Sequence, residues 1–268
     1  MKNENEYLET LFSEMSESQM SGLPTGLMST KDSFVTAMYD QSKKIIEGMV
    51  EYKELMMMYA CATKTIKTKF DILNAEFNVR HQRNPIKFID TRLKRTASIT
   101  EKMERNNIHF TLENIETHIH DVAGVRVICS YLDDIYVLAK ALTEQDNITL
   151  VVQKDYIANP KPNGYRSMHL IVSVPVFFSE QVKHLKVEVQ IRTIAMDFWA
   201  SLEHQLKYKQ EHPDSTEIAA ELKECAEIIS DTDTHMLKIR NRIETKNGKQ
   251  TDDEMLFEKL KKFDVSIE

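Results

Sequence analysis

The chain lacks a long apolar run, has few cysteines and carries no excess of basic residues. No apolar stretch approaches the ~18 residues of a membrane span, and the acidic N-terminus lacks the basic and apolar regions of a secretory signal. Cys61, Cys129 and Cys225 are far apart and odd in number, so they fit neither a disulfide framework nor a CxxC metal site. We therefore expect three free thiols, a reducing cytoplasm and no membrane partner.

The charge balance is acidic, with 35 Lys and Arg against 42 Asp and Glu, which gives −7 at pH 7. This balance argues against broad coating of nucleic acid. Charge is unevenly spread, however, because residues 83–105 hold seven Lys or Arg against three acids. A basic cluster in an acidic protein suggests a local site for a small polyanion, and it also permits contact with single-stranded RNA.

Composition divides the chain into three regions. Residues 1–30 are rich in Ser, Glu, Met and Asn, which predicts a poorly ordered N-terminal extension. Residues 31–247 carry the helical and strand-like patterns and are predicted to form a single domain. Within them, a long helical zone at 31–80 has an apolar residue every three or four positions. Residues 248–268 are predicted as a C-terminal tail.

The middle of the chain alternates between strand-like and helical segments. Branched residues are frequent in four strand-like stretches, at 124–132, 148–157, 168–178 and 184–192. Helices are predicted at 133–145 and 193–209, and one or two more at 215–247. The buried stripe of the helix at 193–209 is predicted to contain Phe198, Trp199, Leu202 and Leu206. This order predicts an α/β (α+β) fold, with helices before and after the strands.

Residues 91–105 read as a further helix with a basic face. Lys94, Ser98 and Lys102 lie at i, i+4 and i+8, so they share one side of that helix. A solvated basic face is the plainer interpretation, and this segment alone favours it. A stripe that binds phosphate groups is the sharper interpretation.

The stretch HIHD at 118–121 has the composition of a metal site. In a strand, His118 and His120 would share one face, so ligation by two histidines is geometrically feasible. The remaining histidines have no HExxH spacing, and no matching His/Asp pair follows downstream. We therefore interpret His118 and His120 as ordinary residues that lead into a strand.

Two carboxylates are better candidates for chemistry. Asp121 precedes one predicted strand, and Glu188 lies in the middle of another, on the face opposite Val187 and Val189. Each has an ordinary explanation as a cap or an ion-pair partner. Together, on adjacent strands, the two carboxylates could hold Mg²⁺. Mg²⁺ beside Lys and Arg is the usual combination in sites of phosphoryl-type transfer.

A turn at 161–164 precedes a group of polar residues. Pro162, Asn163 and Gly164 signal the turn. Tyr165 could stack on a purine ring, and His169 could contact phosphate or ribose oxygens. Taken alone, a hairpin turn with a polar rim has the same sequence.

Four motifs in one order carry a family resemblance. NPIKFIDTRLKRTASITEK, DVAGVRVIC, DYIANPKPNGYRSMH and VEVQIRTIAMDFWASLEH together resemble the synthetase domain of the RelA/SpoT superfamily. The match is closest to its small, single-domain alarmone synthetases of the RelP/RelQ type. It covers roughly residues 45–245.

The resemblance implies both a fold and an activity. It implies a nucleotidyltransferase-like synthetase fold with a mixed sheet of about five strands. It implies transfer of pyrophosphate from ATP to the ribose 3′-hydroxyl of GTP or GDP, with release of AMP and formation of the stringent-response alarmones pppGpp and ppGpp. Mg²⁺ dependence, a homotetramer and the absence of a hydrolase activity are further expectations from the family.

The resemblance also assigns residue roles. Asp121 is expected to bind Mg²⁺, and Glu188 to orient or deprotonate the 3′-hydroxyl and contact the same metal. The residues expected to bind ATP are Arg92, Lys94, Ser98, Lys102 and Arg126. The residues expected to bind GTP are Tyr165 on guanine, Lys161 and His169 on its phosphates, and Gln190, Arg192 and Asp197 around them.

Two rival functions stay open from the sequence. One is a catalytically weak regulator with the same fold that binds nucleotides or single-stranded RNA through the basic cluster at 83–105. The other is a nucleotidyltransferase, which would release pyrophosphate instead of AMP. The small product of the reaction distinguishes them.

Overall fold

The computed structural model describes residues 28–81, 83–208 and 215–247. Most of the predicted extension, residues 1–27, and the predicted tail lie outside the described residues. Contacts divide the chain into two units, residues 1–54 and 55–268. The prediction that residues 31–247 form a single domain stays a prediction.

Six helices and five strands make up the described residues. The helices are α1 (Met28–His81), α2 (Thr96–Arg105), α3 (Leu112–His118), α4 (Leu132–Thr143), α5 (Ile194–Tyr208) and α6 (Ser215–Asn247). The strands are β1 (Ile86–Leu93), β2 (Ala123–Cys129), β3 (Thr149–Asp155), β4 (Met168–Phe177) and β5 (Val182–Thr193).

The strands form a single five-stranded sheet with the order β1-β2-β5-β4-β3. β2 and β5 are parallel, and every other neighbouring pair is antiparallel. A parallel pair needs a crossover, and the chain supplies it through α4, β3 and β4. The mixed sheet confirms the predicted α/β fold.

Alternation along the strands separates a buried face from a polar one. Val187, Val189 and Ile191 of β5 are fully buried, as is Leu170 of β4. α4 covers this side of the sheet and contacts β2, β4 and β5. Burial of each such side chain stabilises the fold by about 1.5–3 kcal/mol relative to exposure. The same alternation sends Glu188 and its neighbours to the opposite face.

The predicted helix at 91–105 is wrong at its N-terminal end. Thr91, Arg92 and Leu93 belong to β1 and pair with β2. Helix α2 begins at Thr96, so Lys94 lies in the connection and does not share a helical face with Lys102. Periodicity within the segment could not detect this, because the ladder to β2 is a contact between segments about thirty residues apart.

The predicted stripe of α5 is also mostly wrong. Trp199 is buried, but Phe198, Leu202 and Leu206 are 61%, 41% and 45% exposed. Among the described residues, α5 packs against α6, β5 and β2. The side chains at 198, 202 and 206 follow one another at intervals of four on another side of the helix.

Two findings bear on the composition. Cys61, Cys129 and Cys225 are all free thiols, as predicted. Within the described residues, no helix is both long and apolar enough to cross a membrane.

Candidate functional site

The polar face of the sheet carries one row of charged and polar side chains that crosses all five strands. Asp90 of β1 pairs with Arg126 of β2, and Arg126 pairs with Gln190 of β5. Gln190 pairs with His169 of β4, and His169 pairs with Lys154 of β3. Glu188 lies in the adjacent row, opposite Gly124. Residues up to 100 positions apart in the chain therefore face one surface.

Two cavities open on this face. The first cavity, of about 300 Å³, is lined by Lys102, His118, His120, Asp121, Val152, Lys154, Tyr156, Lys161, His169, Ile171 and Glu188. The second cavity, of about 390 Å³, is lined by Arg92, Arg126, Tyr165, Gln190, Arg192, Ala200, Ser201, Glu203, His204 and Gln205. Two neighbouring cavities of this size suit a site for two ligands.

Asp121 is paired with both predicted phosphate-binding lysines. Lys94 Nζ donates to its Oδ2 at 2.9 Å, and Lys102 Nζ donates to its Oδ1 at 2.8 Å. The backbone amide of Lys94 donates to the carbonyl of Val122 at 2.8 Å, which fixes the connection after β1 beside Asp121. Burial raises the pKa of Asp121, but the hydrogen bonds and charges of the two lysines outweigh it and lower the pKa below its usual value.

Glu188 is held by two neighbours on the polar face. His169 Nδ1 lies 3.3 Å from its Oε1, and Gln190 Nε2 donates to its Oε2 at 2.9 Å. Burial and the nearby charge of Asp121 raise the pKa of Glu188, but the contacts with His169 and Gln190 prevail and lower it. Glu188 is therefore a carboxylate at neutral pH, although it is largely buried.

The contacts of Glu188 close into a hydrogen-bonded ring, which we call the five-residue ring. The Tyr165 hydroxyl lies 2.7 Å from His169 Nε2. Arg192 Nη2 donates both to the Tyr165 hydroxyl at 2.6 Å and to Gln190 Oε1 at 2.7 Å. Glu188, His169, Tyr165, Arg192 and Gln190 thus form a continuous circuit.

Asp197 of α5 connects this ring to the second cavity. Its Oδ1 accepts a hydrogen bond from Arg192 Nη1 at 3.0 Å and lies 3.6 Å from Arg126 Nη1. Both arginines line the second cavity. Among the described residues, the Nε atoms of Arg126 and Arg192 are buried without a hydrogen-bond partner.

The turn before Tyr165 is fixed against α6. Gly164 has φ +88°, a conformation that favours glycine, and its amide donates to the carbonyl of Lys161 at 2.8 Å. A Cβ added at Gly164 would lie 2.6 Å from the Cβ of Ala226 on α6. Lys161 Nζ lies 4.7 Å from the centroid of the Tyr165 ring. The turn and helix α6 together place Tyr165 in the wall of the second cavity.

Gly124 leaves room for the side chain of Arg92. A Cβ at this position would lie 3.3 Å from Cγ of Arg92, on the neighbouring strand. The missing side chain therefore lets Arg92 lie across β2 toward Arg126. Arg92 and Arg126 both line the second cavity, so a flat ligand between them could contact two planar guanidinium groups.

Most of the predicted site residues converge on these two cavities. Lys102, Asp121, Lys161, His169 and Glu188 line the first cavity, with Lys94 bonded to Asp121. Arg92, Arg126, Tyr165, Gln190 and Arg192 line the second, with Asp197 bonded to Arg192. Ser98 is half-buried on α2, one turn before Lys102, and its role stays a prediction.

The sequence interpretation assigned no site role to four polar residues that line the first cavity. His118 and His120 line its wall and are not merely lead-in residues. Lys154 and Tyr156 line it from the end of β3. Lys154 pairs directly with His169. Strand alternation in the sequence gives the face on which each residue lies, but the pairing of the two residues depends on the register between β3 and β4.

The residues present fit a hard divalent cation better than zinc. Within the described residues, no cluster of three or more His, Cys, Asp and Glu side chains could hold a metal. Asp121 and Glu188 are both ionised and both face the first cavity. Mg²⁺ is commonly held by one or two carboxylates together with substrate phosphates, so two carboxylates suffice for it.

Comparisons with known proteins agree with this geometry. A family model described as the region found in RelA / SpoT proteins matches residues 91–213. The GTP pyrophosphokinase YwaC of Bacillus subtilis is 43% identical over 205 residues, which cover 76% of this chain and 96% of that protein. The crystal structure of small alarmone synthetase 2 from Bacillus subtilis aligns with a TM-score of 0.64 at 44% identity and covers 71% of this chain and 98% of its own.

A second solved structure was determined with a ligand. Small alarmone synthetase 1 from Bacillus subtilis, bound to its product pppGpp, aligns with a TM-score of 0.66 at 36% identity. The alignment covers 72% of this chain and 98% of that chain. These alignments span almost the whole length of each relative.

Proposed function

The chain belongs to the RelA/SpoT family of GTP pyrophosphokinases, and we propose that it transfers pyrophosphate from ATP to the 3′-hydroxyl of GTP or GDP. The reaction releases AMP and makes the alarmones pppGpp and ppGpp. One observation carries the proposal for the site: two ionised carboxylates face a cavity that three lysines and three histidines also line. Such a surface suits polyphosphate substrates held with a divalent cation.

The donor nucleotide is proposed to bind across both cavities. Arg92 and Arg126 hold its adenine through their planar guanidinium groups in the second cavity. Lys94, Ser98 and Lys102 contact its phosphates. When the nucleotide binds, Lys94 and Lys102 leave Asp121 and donate instead to phosphate oxygens, because the phosphates carry more negative charge than the carboxylate. Attack on the β-phosphorus develops charge on the transferred group and on the departing α-phosphate, and these lysines stabilise it.

The acceptor nucleotide is proposed to bind beside the five-residue ring. Tyr165 stacks on guanine, and Lys161 neutralises the acceptor phosphates. Gln190, Arg192 and Asp197 hold the rest of the acceptor side. Glu188, as a carboxylate in a largely buried position, orients the 3′-hydroxyl and accepts its proton. Holding both nucleotides in line contributes roughly 7–11 kcal/mol to lowering the barrier.

Mg²⁺ is the proposed cofactor, with Asp121 and Glu188 as its protein ligands. When bound, the ion neutralises phosphate charge and polarises the phosphoryl group. We further propose a cytoplasmic homotetramer whose N- and C-terminal helices make the contacts between subunits.

The proposal is tested by identifying the small product of a mixture of ATP, GTP and Mg²⁺. We expect AMP and a guanosine 3′-pyrophosphate, separated by chromatography. Release of pyrophosphate would identify another nucleotidyltransferase. Salt-sensitive binding of single-stranded RNA without AMP formation would identify the regulator.

The role of Glu188 is tested by Glu188→Gln. We expect kcat to fall by about 10²–10⁴-fold, because the amide cannot accept the hydroxyl proton. Binding of GDP should change little, since the amide keeps the shape of the side chain. Glu180→Gln, at an exposed position on the connection before β5, is the matched control and should keep full activity. Full activity of Glu188→Gln would reject this role.

A further inference from the structure

The wall of the second cavity contains a buried carboxylate. Among the described residues that line this cavity, Glu203 of α5 is the only acid, and three arginines line it as well, Arg92, Arg126 and Arg192. Glu203 is 8% exposed, and its Oε1 accepts a hydrogen bond from Asn163 Nδ2 at 2.9 Å. We propose that Glu203 selects the base of the acceptor nucleotide by accepting hydrogen bonds from the N1–H and the 2-amino group of guanine. This inference rests on the proposed function and adds a residue of α5 to it.

Glu203 lies on the covered side of α5, where a charged side chain is unusual. The i, i+3, i+4 and i+7 spacing of one helix side is occupied by four residues that are 4–9% exposed, Met196, Trp199, Ala200 and Glu203. Trp199 and Ala200 pack in an apolar cluster with Ala226 of α6. A buried glutamate needs polar partners, and this one lies where the covered side of the helix reaches the second cavity. The fold therefore places its carboxylate at the cavity wall and not in solvent.

Two hydrogen bonds connect Glu203 with the turn that carries Tyr165. Asn163 donates through Nδ2 to Glu203, and Asn163 Oδ1 accepts from the backbone amide of Tyr165 at 3.2 Å. Glu203 is therefore attached to the residue that is proposed to stack on guanine, and both residues line the second cavity. A carboxylate has about four acceptor positions, so it can hold Asn163 and the edge of a base at the same time.

The chemistry of the bases determines which of them a carboxylate can select. Guanine presents two neighbouring donors, N1–H and the 2-amino group, which match the two oxygens of a carboxylate. Adenine presents the acceptor N1 beside its amino group, so a carboxylate at that edge would face a lone pair. Hydrogen bonds to a charged group are about twice as strong as neutral ones, and a base that lacks one of the donors leaves a buried acceptor without a partner. Glu203 therefore favours guanine over adenine at the acceptor position.

A purely structural role is the alternative, because the bond between Glu203 and Asn163 could serve only to hold the turn. Glu203→Gln separates the two roles. The amide oxygen of glutamine still accepts from Asn163, so a structural role would survive the substitution. The NH₂ group of glutamine, however, opposes the 2-amino group of guanine, whereas it can donate to the 2-carbonyl of xanthine. If Glu203 selects the base, the substitution should change the preferred base from guanine to xanthine.

We measure kcat/KM of the full chain by AMP release with ATP and Mg²⁺, using GTP, inosine triphosphate (ITP) and xanthosine triphosphate (XTP) as acceptors. The unmodified protein should prefer GTP to ITP, which lacks the 2-amino group, by about 10–10²-fold, and should use XTP least. In Glu203→Gln, kcat/KM for GTP should fall by about 10²-fold, and XTP should become the best of the three acceptors. The KM for ATP should change little, because the donor base is held by arginines.

Glu227→Gln, at an exposed position of α6, is the matched control and should keep the preference for GTP. Comparing acceptors within one variant removes the effect of incomplete folding, because an unfolded fraction lowers all three rates alike. Equal losses for GTP, ITP and XTP in Glu203→Gln would indicate a structural role and overturn the inference. Equal use of ITP and GTP by the unmodified protein would overturn it as well.

Binding of nucleoside diphosphates tests the inference without the transfer reaction. We measure the Kd of GDP and of xanthosine diphosphate (XDP) by calorimetry in the absence of ATP. The unmodified protein should bind GDP more tightly than XDP, and Glu203→Gln should reverse this order. An unchanged order in the variant would overturn the inference. If the unmodified protein binds GDP in preference to XDP but releases no AMP with ATP, the proposed transfer fails and the inference does not, so the two failures are distinguishable.

Discussion

At the scale of single residues, the site rests on two largely buried carboxylates that specific neighbours keep ionised. Burial alone would raise the pKa of Asp121 and Glu188 and favour their neutral forms. Two lysines reverse this at Asp121, and His169 with Gln190 reverses it at Glu188. The sign of each shift therefore depends on donors that single substitutions can remove.

The pH dependence of the reaction should respond to Gln190. A base with a lowered pKa stays active as the pH falls and is lost only when the pH passes through that pKa. Gln190→Leu removes the donor to Glu188 Oε2 and leaves burial in place, so the pKa of Glu188 should rise. We expect the acidic limb of kcat/KM, measured by AMP release, to move to higher pH. Gln153→Leu, at an exposed position of β3, is the control and should leave the limb in place; an unmoved limb in Gln190→Leu contradicts the assignment.

The sequence indicated which residues belong to the candidate site better than it indicated the contacts between them. The basic cluster, the two carboxylates and the family resemblance together named Lys94, Lys102, Asp121 and Glu188, and their roles stay predictions. The direct pairing of both lysines with Asp121 was not foreseen, since it depends on the turn after β1. His118 and His120 were set aside because no partner lies close in sequence, although the fold brings Lys186 Nζ to 3.1 Å from His120 Nε2.

At the scale of elements, the tyrosine turn and helix α6 act as one support. The turn packs on α6 at Gly164, and the indole nitrogen of Trp199 donates to the carbonyl of Leu222 on the same helix at 2.8 Å. The ring of Tyr165 lies 6.5 Å from that of Trp199. Thr193, at the end of β5, donates to Asp233 of α6 at 2.6 Å. α6 therefore fixes both the loop and the strand that carry the acceptor side.

Gly164→Ala should disturb this support in two ways. The left-handed conformation costs an L-residue about 1–2 kcal/mol, and the new Cβ would lie 2.6 Å from Ala226. We expect a lower free energy of unfolding in urea and a raised KM for GTP. Adding Ala226→Gly should restore only part of the stability, since it relieves the contact but not the backbone strain.

Gly48→Ala is the control for that experiment. Gly48 lies within α1, and among the described residues no atom beyond its chain neighbours and the adjoining helix backbone is within 4 Å of an added Cβ. Alanine there should stabilise the helix by roughly 0.5–1 kcal/mol. A stability of Gly164→Ala equal to that of the unmodified protein would contradict the tight packing of the turn.

Elements were predictable where local pattern and tertiary contact agree. β5 was predicted from strict alternation, and burial alternates in the structure from Leu185 to Val189. Gln190 and Arg192 are buried as well, although the pattern predicts that they are exposed. β1 was missed because it is an edge strand with mostly exposed positions. Its segment FIDTRL therefore lacks the alternation of apolar and polar residues that predicts a strand. The burial of Phe198, Leu202 and Leu206 on α5 was mispredicted. An apolar stripe indicates that a helix face can pack against a partner, but it does not identify that partner.

At the scale of the whole molecule, apolar side chains stay exposed on the helices at both ends of the described chain. Met38, Ile45 and Met49 are more than half exposed on α1. Ile228 and Ile243 are more than half exposed on α6. Apolar surface of this kind is typical of contacts between subunits, which agrees with the proposed homotetramer.

The oligomeric state should depend on the exposed face of α1. We expect Ile45→Glu combined with Met49→Glu to lower the molar mass measured by light scattering, because four pairs of buried carboxylates would be unfavourable in an assembly. Lys44→Glu changes the net charge by the same −2 and is the matched control, which should leave the mass unchanged. An unchanged mass in the double variant would remove this face from the contact.

The pairing of Lys94 and Lys102 with Asp121 has a consequence for the order in which the site fills. In the proposed reaction these contacts would be exchanged: Asp121 would bind the cation, and Lys94 and Lys102 would bind the phosphates. Nucleotide without metal would confront Asp121 with phosphate, and metal without nucleotide would leave two ammonium groups uncompensated. We therefore expect the site to take up metal and nucleotide together more readily than either one alone, because a joint complex would supply a partner for Asp121 and for both lysines.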